Sequence, residues 1–340
     1  MVGATGAVGS TILGVMRERS FPADEIVPFA SERSAGRTID YGDRDLTVAT
    51  LSEDAVDGFD LVLMSAGSGI SAEWAPRFAD AGAVVVDNSS RWRMEDDVPL
   101  VVSEVNPDDL ASHRGIVANP NCSTMQMVVA LRPIQLRAGI ERLVITTMQS
   151  VSGTGKAATD ALTEETETVL GGRGVGKSAV YAHQIAFNVL PHAGSFRDGS
   201  DYTDEELKLV NETRKILGDP SIAVSATCTR VPVYVGHSES VNVQTREPLS
   251  ADDCRALLSE SPGITVLDDP ANAIYPLATE AAGRDDVLVG RIRRDPSHER
   301  CLNLFVVGDN LRKGAATNAV QLAELLVERG LLRGSQPRAA

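Results

Sequence analysis

Short apolar runs in the first third of the chain alternate with a segment of helical periodicity. Four runs predict strands: "EIVPFAS" (25–31), "DLVLMSA" (60–66), "AVVVDNSS" (83–90) and "GIVANPN" (115–121). The stretch "ISAEWAPRFADAG" (70–82), which lies among them, predicts a helix. Alternation of strands with helices is typical of a parallel sheet wound with helices. Residues 1–121 are therefore predicted to form an α/β unit.

Apolar and polar positions alternate more regularly from about Glu141 onward. Longer strands are predicted in "RLVITTMQSVSG", "IAVSATCTRVPVYV", "ESVNVQTREP", "DVLVGRIRR" and "CLNLFVVGDN". Such alternation favours a mixed or antiparallel sheet that carries a few helices. The segment "KGAATNAVQLAELLVERGLL" (313–332) predicts one amphipathic helix, and the tail "RGSQPRAA" (333–340) is expected to fray.

Composition and charge narrow the class of protein. The 340 residues (36.1 kDa, 43% apolar) suffice for two domains, and we find no repeat. No apolar run approaches the roughly 18 residues of a membrane span, and the N-terminus lacks the features of a signal peptide, so a cytoplasmic protein is expected. The net charge of -15 disfavours nucleic acid and anionic membranes as partners.

The cysteines give no sign of a disulfide framework or a metal site. Cys122, Cys228, Cys254 and Cys301 are irregularly spaced, without a CxxC pair or companion histidines at metal-ligand spacing. We therefore expect free thiols and no metal.

A glycine-rich segment opens the chain. In "GATGAVG", Gly3, Gly6 and Gly9 precede a predicted helix, as in loops that place a pyrophosphate at a helix N-terminus. The spacing GxxGxxG is a weak match, and a plain glycine turn is the alternative. The next strand ends in "FASERSAGR", where Ser31, Arg33 and Ser34 favour the 2'-phosphate of NADP. Glu32 would favour NAD, and we assume that it faces solvent.

A second glycine segment, "GGRGVGKS" (171–178), matches the phosphate-loop pattern of nucleotide triphosphatases. That pattern requires a preceding strand, whereas "DALTEETETVL" (160–170) predicts an acidic helix. We therefore interpret the segment as a glycine loop that binds no nucleotide.

Cys122 is the strongest candidate nucleophile among the thiols. In "NPNCST" it stands where a strand stops and a helix starts, and a helix N-terminus stabilises an anion by about 0.3 to 1 kcal/mol. Cys254 also lies at a predicted helix start, but Asp252 and Asp253 are expected to suppress its thiolate. Cys228 and Cys301 lie within predicted strands and are expected in the core.

A nucleophilic thiol requires a base or cationic partner, and His237 is one candidate. It follows Arg230 by seven residues, so a regular strand would place the two side chains on opposite faces. Pro232 and Gly236 make a bend, which could bring both into one site. A histidine in such a position is more often structural than catalytic, and both interpretations stay open.

Eight segments resemble the bacterial aspartate-semialdehyde dehydrogenase family in order and spacing. They are "GATGAVG", "FASERSAGR", "NSSRWR", "VPLVVSEVN", "NPNCST", "MQSVSGTG", "TRVPVYVGHSESV" and "DNLRKGAATNAVQ". The resemblance covers essentially the whole chain. It implies a Rossmann-type NADP-binding domain (1–121 plus 313–340) and an α+β catalytic and dimerisation domain (122–312), as in glyceraldehyde-3-phosphate-dehydrogenase-like folds.

The resemblance also implies roles for individual residues. It assigns Cys122 as nucleophile, His237 as general acid/base and Gln149 as the residue that orients the substrate. Phosphate would be bound by Arg93, Asn121 and Lys208, and the substrate carboxylate and amine by Arg230 and Glu205. Without the family resemblance, Glu205 would be interpreted as part of an ordinary capped helix start in "TDEELKLV". The NADP ligands implied are Gly3, Thr5, Gly6, Ala7, Val8, Gly9, Ser31, Arg33, Ser34, Ser65, Gly67, Ser152, Gly153 and Asn310.

The implied reaction is NADP-dependent reductive dephosphorylation of L-aspartyl-4-phosphate to L-aspartate-4-semialdehyde through a cysteine thioester, in lysine, threonine and methionine biosynthesis. Inorganic phosphate is the co-substrate of the reverse direction, and a homodimer or dimer of dimers is expected. The alternatives are an N-acetyl-gamma-glutamyl-phosphate reductase and a non-catalytic NADP-binding protein. Only Met1 and Val2 precede Gly3, so we expect the chain to be numbered from an internal start.

Overall fold

The computed structural model describes residues 1–42, 44–178 and 180–332. Contacts divide the chain into two compact units, one of Met1–Asn121 with the segment from Ala315, the other of Cys122–Gly314. The second boundary thus follows Gly314, where the sequence analysis set it after residue 312. The tail predicted to fray, 333–340, lies outside the described residues.

The regular elements are numbered here in chain order. The strands are β1 (Phe29–Ala30), β2 (Thr38–Asp40), β3 (Asp45–Thr47), β4 (Ala49–Thr50), β5 (Leu61–Met64), β6 (Val84–Asp87), β7 (Ile116–Ala118), β8 (Ile140–Gln149), β9 (Ala223–Arg230), β10 (His237–Thr245), β11 (Ile264–Val266), β12 (Val287–Arg294) and β13 (Cys301–Gly308). The α-helices are α1 (Ala7–Glu18), α2 (Ser68–Asp80), α3 (Cys122–Ala138), α4 (Lys156–Leu170), α5 (Asp204–Leu217), α6 (Ala251–Ser259), α7 (Ala278–Ala281) and α8 (Thr317–Glu328).

The first unit is built on a parallel sheet. Strands β5, β6 and β7 pair in parallel, β1 pairs in parallel with β4, and Val2 bridges β1 and β5. One apolar cluster joins α1 and α8 to this sheet, and α2 packs with a second cluster around Phe78. The predicted parallel α/β architecture is confirmed. The strand predicted over 25–31 is wrong in extent, because only Phe29 and Ala30 are paired.

The second unit contains a six-stranded mixed sheet in the order β11-β12-β13-β10-β8-β9. The β8–β9 and β11–β12 pairs are parallel and the others are antiparallel. Helices α3, α5 and α6 pack against this sheet. Because β8 and β9 are parallel neighbours, their final residues, Gln149 and Arg230, stand side by side. The predicted mixed sheet is confirmed.

The C-terminal helix differs from its prediction. The segment expected to be one helix over 313–332 starts as a π-helical stretch, Arg312–Ala316, and becomes α-helical only from Thr317 to Glu328. A π-helix within an α-helix often marks a functional position. Among the described residues, no helix combines the length and apolar character required to cross a bilayer.

Candidate active site

The glycine loop of the first unit is closely packed against its own sheet. Gly3 has a φ of +83°, and a Cβ atom built on it would lie 2.1 Å from the Ser65 carbonyl oxygen. A Cβ on Gly9 would lie 2.0 Å from the Gly3 carbonyl oxygen. Both positions therefore require glycine, as a loop that turns tightly from strand to helix does.

Three loops of this unit meet at the carboxyl edge of the parallel sheet. The Gly3 and Ala4 amides donate to the Phe29 carbonyl (2.8 and 3.0 Å), and the Ser65 amide donates to Val2 (2.9 Å). The loop at Gly3 thus lies beside the turn that starts at Ser31 and the one that includes Gly67. No described side chain caps α1, whose N-cap is Gly6. A pyrophosphate fits this edge, because the first amides of an uncapped helix can bind it.

The turn after β1 presents polar side chains to solvent. Ser31, Glu32 and Arg33 are exposed and Ser34 is half-buried in a short 3-10 turn. The exposed position of Glu32 agrees with the assumption made from the sequence. Arg33 is thus accessible to an anionic ligand at the same sheet edge.

Two predicted phosphate ligands, Arg93 and Asn121, belong to the first unit, and both are buried. The Arg93 guanidinium donates to the carbonyls of Asn119 (Nε, 3.0 Å) and Asn88 (Nη2, 2.8 Å). The side chain is therefore held in place by main-chain acceptors.

The central contact of the second unit joins Cys122 to His237. Cys122 is the first residue of α3 and His237 the first residue of β10, and the Sγ and Nε2 atoms are 3.3 Å apart. Gly314 packs so closely that a Cβ on it would lie 2.9 Å from the Cys122 Cβ. A half-buried thiol at a helix N-terminus beside an imidazole has the surroundings of a nucleophile.

His237 is fully buried, and its environment disfavours a positive charge. Burial, and then the guanidinium of Arg230, hold the pKa of His237 well below its ordinary value. Arg230 and His237 both lie against Gly153. A Cβ atom built on that glycine would be 3.2 Å from Arg230 Nη1 and also 3.2 Å from His237 Nε2. The bend between β9 and β10 therefore does bring Arg230 and His237 together, as the sequence suggested.

Gln149 and Glu205 form a polar pair next to Arg230. Gln149 Nε2 donates to Glu205 Oε1 (3.3 Å), and Arg230 Nη1 donates to the Ser150 carbonyl (2.7 Å). The buried Nε of Arg230 has no hydrogen-bond partner within the described chain. Arg230 thus retains N–H groups that a carboxylate ligand could use.

The positive charge of Lys208, which was predicted to bind phosphate, is balanced by two neighbouring carboxylates. Its ammonium donates to Asp204 (2.7 Å) and Glu205 (3.1 Å). Burial acts to lower the pKa of Lys208, but the two carboxylates outweigh it and raise that pKa above its ordinary value. Helix α5 begins with a capping box formed by Thr203 and Glu206. Glu205 is therefore not needed for the cap, and its carboxylate accepts from Gln149.

Three predicted cofactor ligands lie in the second unit. Ser152 and Asn310 are buried and bonded to each other (Asn310 Nδ2 to Ser152 Oγ, 2.9 Å), and Gly153 is exposed. Asn310 Oδ1 also accepts from the Gly236 amide (3.0 Å). These residues surround the same bend that carries His237.

The environment of the remaining thiols disfavours their thiolate forms. Burial is the main cause that raises the pKa of Cys228 and Cys301, and it raises that of Cys254 to about 12. The prediction that Asp252 and Asp253 suppress the Cys254 thiolate is wrong in its cause, because burial and Asp268 raise the pKa of that thiol. Within the described residues, no cluster of His, Cys, Asp and Glu could hold a metal ion.

The loop "GGRGVGKS" follows helix α4 directly, with no strand before it. Its described residues therefore lack the context that a phosphate loop requires.

Two contacts that shape the site were not predicted from the sequence. The main-chain amide of Ser150 donates to His237 Nδ1. Any residue type can make this main-chain contact, so the sequence carries no signal for it. Ser150 does lie within the segment "MQSVSGTG". Asp204, which pairs with Lys208, could have been found from its i, i+4 spacing on a predicted helix.

Two family models match the chain, the semialdehyde dehydrogenase NAD binding domain over residues 1–113 and the semialdehyde dehydrogenase dimerisation domain over residues 131–313. Aspartate-semialdehyde dehydrogenase of Aquifex aeolicus is 53% identical over 336 residues, which cover 98% of each chain. Aspartate semialdehyde dehydrogenase II of Vibrio cholerae, solved in complex with ASA, has a TM-score of 0.91 at 49% identity over 96% of this chain and 97% of that one. The Candida albicans enzyme, solved with NADP, has a TM-score of 0.73 at 26% identity and covers 98% of both chains. The chain belongs to the aspartate-semialdehyde dehydrogenase family.

Proposed function

We propose that this protein interconverts L-aspartyl-4-phosphate and L-aspartate-4-semialdehyde with NADP as cofactor, in the reductive direction for lysine, threonine and methionine biosynthesis. The observation that carries the proposal is the 3.3 Å contact of Cys122 Sγ with His237 Nε2 at the start of α3. The full-length relationship to aspartate-semialdehyde dehydrogenases supports it over an N-acetyl-gamma-glutamyl-phosphate reductase. It also favours an enzyme over a non-catalytic NADP-binding protein.

In the oxidative direction, the Cys122 thiolate adds to the aldehyde carbon and forms a thiohemiacetal. Loss of hydride from that carbon leaves a thioester on Cys122. Attack by inorganic phosphate then breaks the C–S bond, which releases the acyl phosphate and restores the thiolate. A thioester is reactive enough for this exchange, so cysteine suits the position better than serine. NADP, when bound, supplies the hydride acceptor.

The substrate would be held by three polar side chains of the second unit, Arg230, Glu205 and Gln149. Arg230 suits the α-carboxylate, because its buried Nε has no partner in the described chain and a planar guanidinium binds carboxylates through two hydrogen bonds. Glu205 suits the α-amine, and Gln149, which is bonded to it, would orient the reacting group.

Phosphate is proposed to bind Arg93, Asn121 and Lys208. The Lys208 ammonium has three N–H donors and gives two to Asp204 and Glu205, so within the described residues one is left for a phosphate oxygen. The two carboxylates leave this ammonium with little excess charge. Arg93 would then supply most of the attraction for the anion.

NADP rather than NAD is proposed because Ser31, Arg33 and Ser34 stand at the carboxyl edge of the parallel sheet, beside the glycine loop. The residues Thr5 to Val8 would surround the pyrophosphate. Ala7 and Val8 belong to the first turn of α1, whose amides no described side chain caps and which would bind it. The Candida albicans relative binds NADP in its solved structure.

We propose that the protein forms a homodimer whose interface lies on the second unit, because the dimerisation family model matches that part of the chain. Large apolar side chains are exposed there between residues 170 and 202, with Leu170 75% and Phe187 63% accessible. Several large apolar side chains exposed in one stretch of the chain would be covered by a protein partner. The free thiols are consistent with a reducing compartment, and we infer a cytoplasmic location.

The test is a comparison of two aldehydes under otherwise equal conditions. Phosphate-dependent reduction of NADP should proceed with aspartate semialdehyde and fail with its acetylated homologue that is one carbon longer. Preference for the acetylated aldehyde would establish the alternative reductase, and turnover of neither would favour a non-catalytic protein.

A further inference from the structure

The two main-chain carbonyls that hold Arg93 belong to residues whose side chains contact each other. Arg93 Nε donates to the Asn119 carbonyl (3.0 Å), and Arg93 Nη2 donates to the Asn88 carbonyl (2.8 Å). The side-chain nitrogen of Asn119 donates to Asn88 Oδ1. The main-chain amide of Asn119 also donates to the Asp87 carbonyl (2.8 Å). The position of the guanidinium therefore depends on how Asn119 is held.

The Asn119 side chain is fixed by residues at the entry to helix α8. Its nitrogen donates to the Ala315 carbonyl (3.1 Å), and its oxygen accepts from Asn318 Nδ2 (2.6 Å). A main-chain carbonyl can only accept, so the contact with Ala315 establishes which end of the carboxamide is the nitrogen. Both protons of that nitrogen are thus used, one by Asn88 and one by Ala315.

Asn318 is oriented by main-chain groups in the same way. Its nitrogen donates to the Val101 carbonyl (3.0 Å) as well as to Asn119, and its oxygen accepts from the Ser103 amide (3.0 Å). Both asparagine side chains are buried. A buried polar group is costly to leave without a partner, so removal of the Asn318 amide would release the Asn119 side chain from its present orientation.

A second residue of α8 contacts the same loop. Gln321 lies one turn further along the helix, where its Oε1 is 2.9 Å from the Ser103 hydroxyl and its Nε2 donates to Glu104 (3.2 Å). Asn318 shares the contact with Ser103 and in addition contacts Asn119. A comparison of the two positions therefore separates attachment of α8 to the loop from orientation of Asn119.

We propose that Asn318, through Asn119, is a positioning residue for Arg93 and thereby sets the affinity of the enzyme for inorganic phosphate. The proposal rests on the proposed function, since it concerns the phosphate that Arg93 would bind. A guanidinium binds a phosphate oxygen through directed N–H groups, so a guanidinium whose plane is already fixed loses less freedom on binding. The Asn318 side chain is not proposed to contact the substrate.

The two halves of the proposed reaction separate this role from a general loss of structure. Formation of the thiohemiacetal and transfer of hydride to NADP give the thioester on Cys122 without phosphate. A phosphate oxygen then forms a bond to the acyl carbon, the C–S bond breaks, and its electron pair returns to sulfur as the thiolate. A defect confined to Arg93 would therefore slow only the second half.

The test is Asn318→Ala, assayed for turnover of aspartate semialdehyde and NADP at varied phosphate. We expect KM for phosphate to rise about 10-fold, and the burst of NADPH formed without phosphate to keep its rate within about 2-fold of the parent. Gln321→Ala is the matched control and should leave both quantities near those of the parent. An unchanged KM for phosphate would overturn the proposal. Equal losses in the burst rate and in phosphate-dependent turnover would also overturn it, because they would indicate a merely structural role.

Asn318→Ser provides the same test if Asn318→Ala does not yield folded protein. A hydroxyl has a single proton, so it cannot donate to both the Val101 carbonyl and Asn119. The expected and contradicting results are the same as for alanine.

A double variant tests whether Asn318 acts through Arg93. Arg93→Lys keeps the charge but not the planar guanidinium, and should raise KM for phosphate by itself. In that background, Asn318→Ala should change KM for phosphate by less than about 2-fold, against about 10-fold in the parent. Multiplication of the two single effects would refute the proposal. A parent without phosphate-dependent turnover would refute the proposed function and this role with it, whereas an active parent matched by Asn318→Ala would refute the role alone.

Discussion

Cys122 Sγ lies 3.3 Å from His237 Nε2 although the two residues are 115 positions apart in the chain. The contact depends on two element boundaries, because Cys122 begins α3 and His237 begins β10. Both residues belong to the same unit, so the contact forms within a single core.

Replacement of Cys122 by alanine should abolish turnover and leave NADP binding intact, because the thiol reacts but is not proposed to contact the cofactor. Steady-state assays and a cofactor titration by fluorescence measure the two quantities. Cys301→Ala, which changes a buried thiol of the same unit, should retain activity. Residual turnover of Cys122→Ala above about 10⁻³ of the parent would remove Cys122 as nucleophile.

Loss of Arg33 should weaken NADP binding and leave NAD binding nearly unchanged. A charge-assisted hydrogen bond to the 2'-phosphate contributes about 1.5 to 3 kcal/mol, so Arg33→Ala should raise the Kd for NADP by roughly 10- to 150-fold. Arg114→Ala alters another exposed arginine of the same unit and serves as control. Equal use of NAD and NADP by the unmodified enzyme would refute the assignment.

Substitution of Arg230 by lysine should be damaging although the charge is kept. Lysine cannot form the planar two-pronged bond to a carboxylate, and a misplaced aldehyde reacts slowly with Cys122. We expect kcat/KM for aspartate semialdehyde to fall by at least about 10²-fold, equivalent to about 3 kcal/mol, with a lower kcat as well. The control is Arg142→Lys, which makes the same change at an exposed arginine on β8. Near-normal kinetics of Arg230→Lys would place Arg230 outside the substrate site.

The glycine loop at 171–178 should be dispensable for the chemistry. It follows an α-helix directly, and Lys177 is exposed, so Lys177→Ala should leave dehydrogenase activity within about 3-fold of the parent. Equilibrium dialysis with ATP and magnesium tests the competing hypothesis. Tight ATP binding by the parent that is lost in the variant would reinstate a phosphate loop.

Glu239 should make the protein less stable as the pH rises. Burial raises the pKa of Glu239 well above its ordinary value and outweighs the opposite effect of the neighbouring Gln126 side chain. The folded state therefore keeps a proton that the unfolded state loses above about pH 4.5, so the free energy of unfolding falls with increasing pH. Glu239→Gln lacks this proton exchange. Its stability relative to the parent should grow from about pH 5 to pH 8 in urea titrations.

The control for Glu239 is Glu141→Gln, which alters an exposed carboxylate of the neighbouring strand. Its stability relative to the parent should vary little over the same pH range. A difference between Glu239→Gln and the parent that stays constant with pH would show that Glu239 is ionised in the folded state.

Local signals in the sequence sufficed for the elements that carry the nucleophile. The apolar run before Asn119 and the helical periodicity after Cys122 predict β7 and α3, and the structure has both. The strand predicted over 25–31 is too long, because only Phe29 and Ala30 pair with neighbours, which are Val2 and β4. Pairing of this kind depends on partners distant in sequence.

The geometry around His237 was less predictable for a related reason. Spacing alone placed Arg230 and His237 on opposite faces of one strand, and only the bend between β9 and β10 brings them together. The Ser150 amide that contacts Nδ1 is main chain, so residue type carries no sign of it. The ion pairs of Lys208 with Asp204 and Glu205 arise from helix spacing and could have been anticipated.

The central claim, that Cys122 carries the acyl group, is tested most directly by trapping the intermediate in the absence of phosphate. The enzyme is mixed rapidly with aspartate semialdehyde and NADP, NADPH is followed by absorbance, and the acid-quenched protein is digested for mass spectrometry. We predict a burst of about one NADPH per active site and an aspartyl adduct on the peptide that contains Cys122. An adduct on Cys228, Cys254 or Cys301, or a burst without any adduct, would contradict the account.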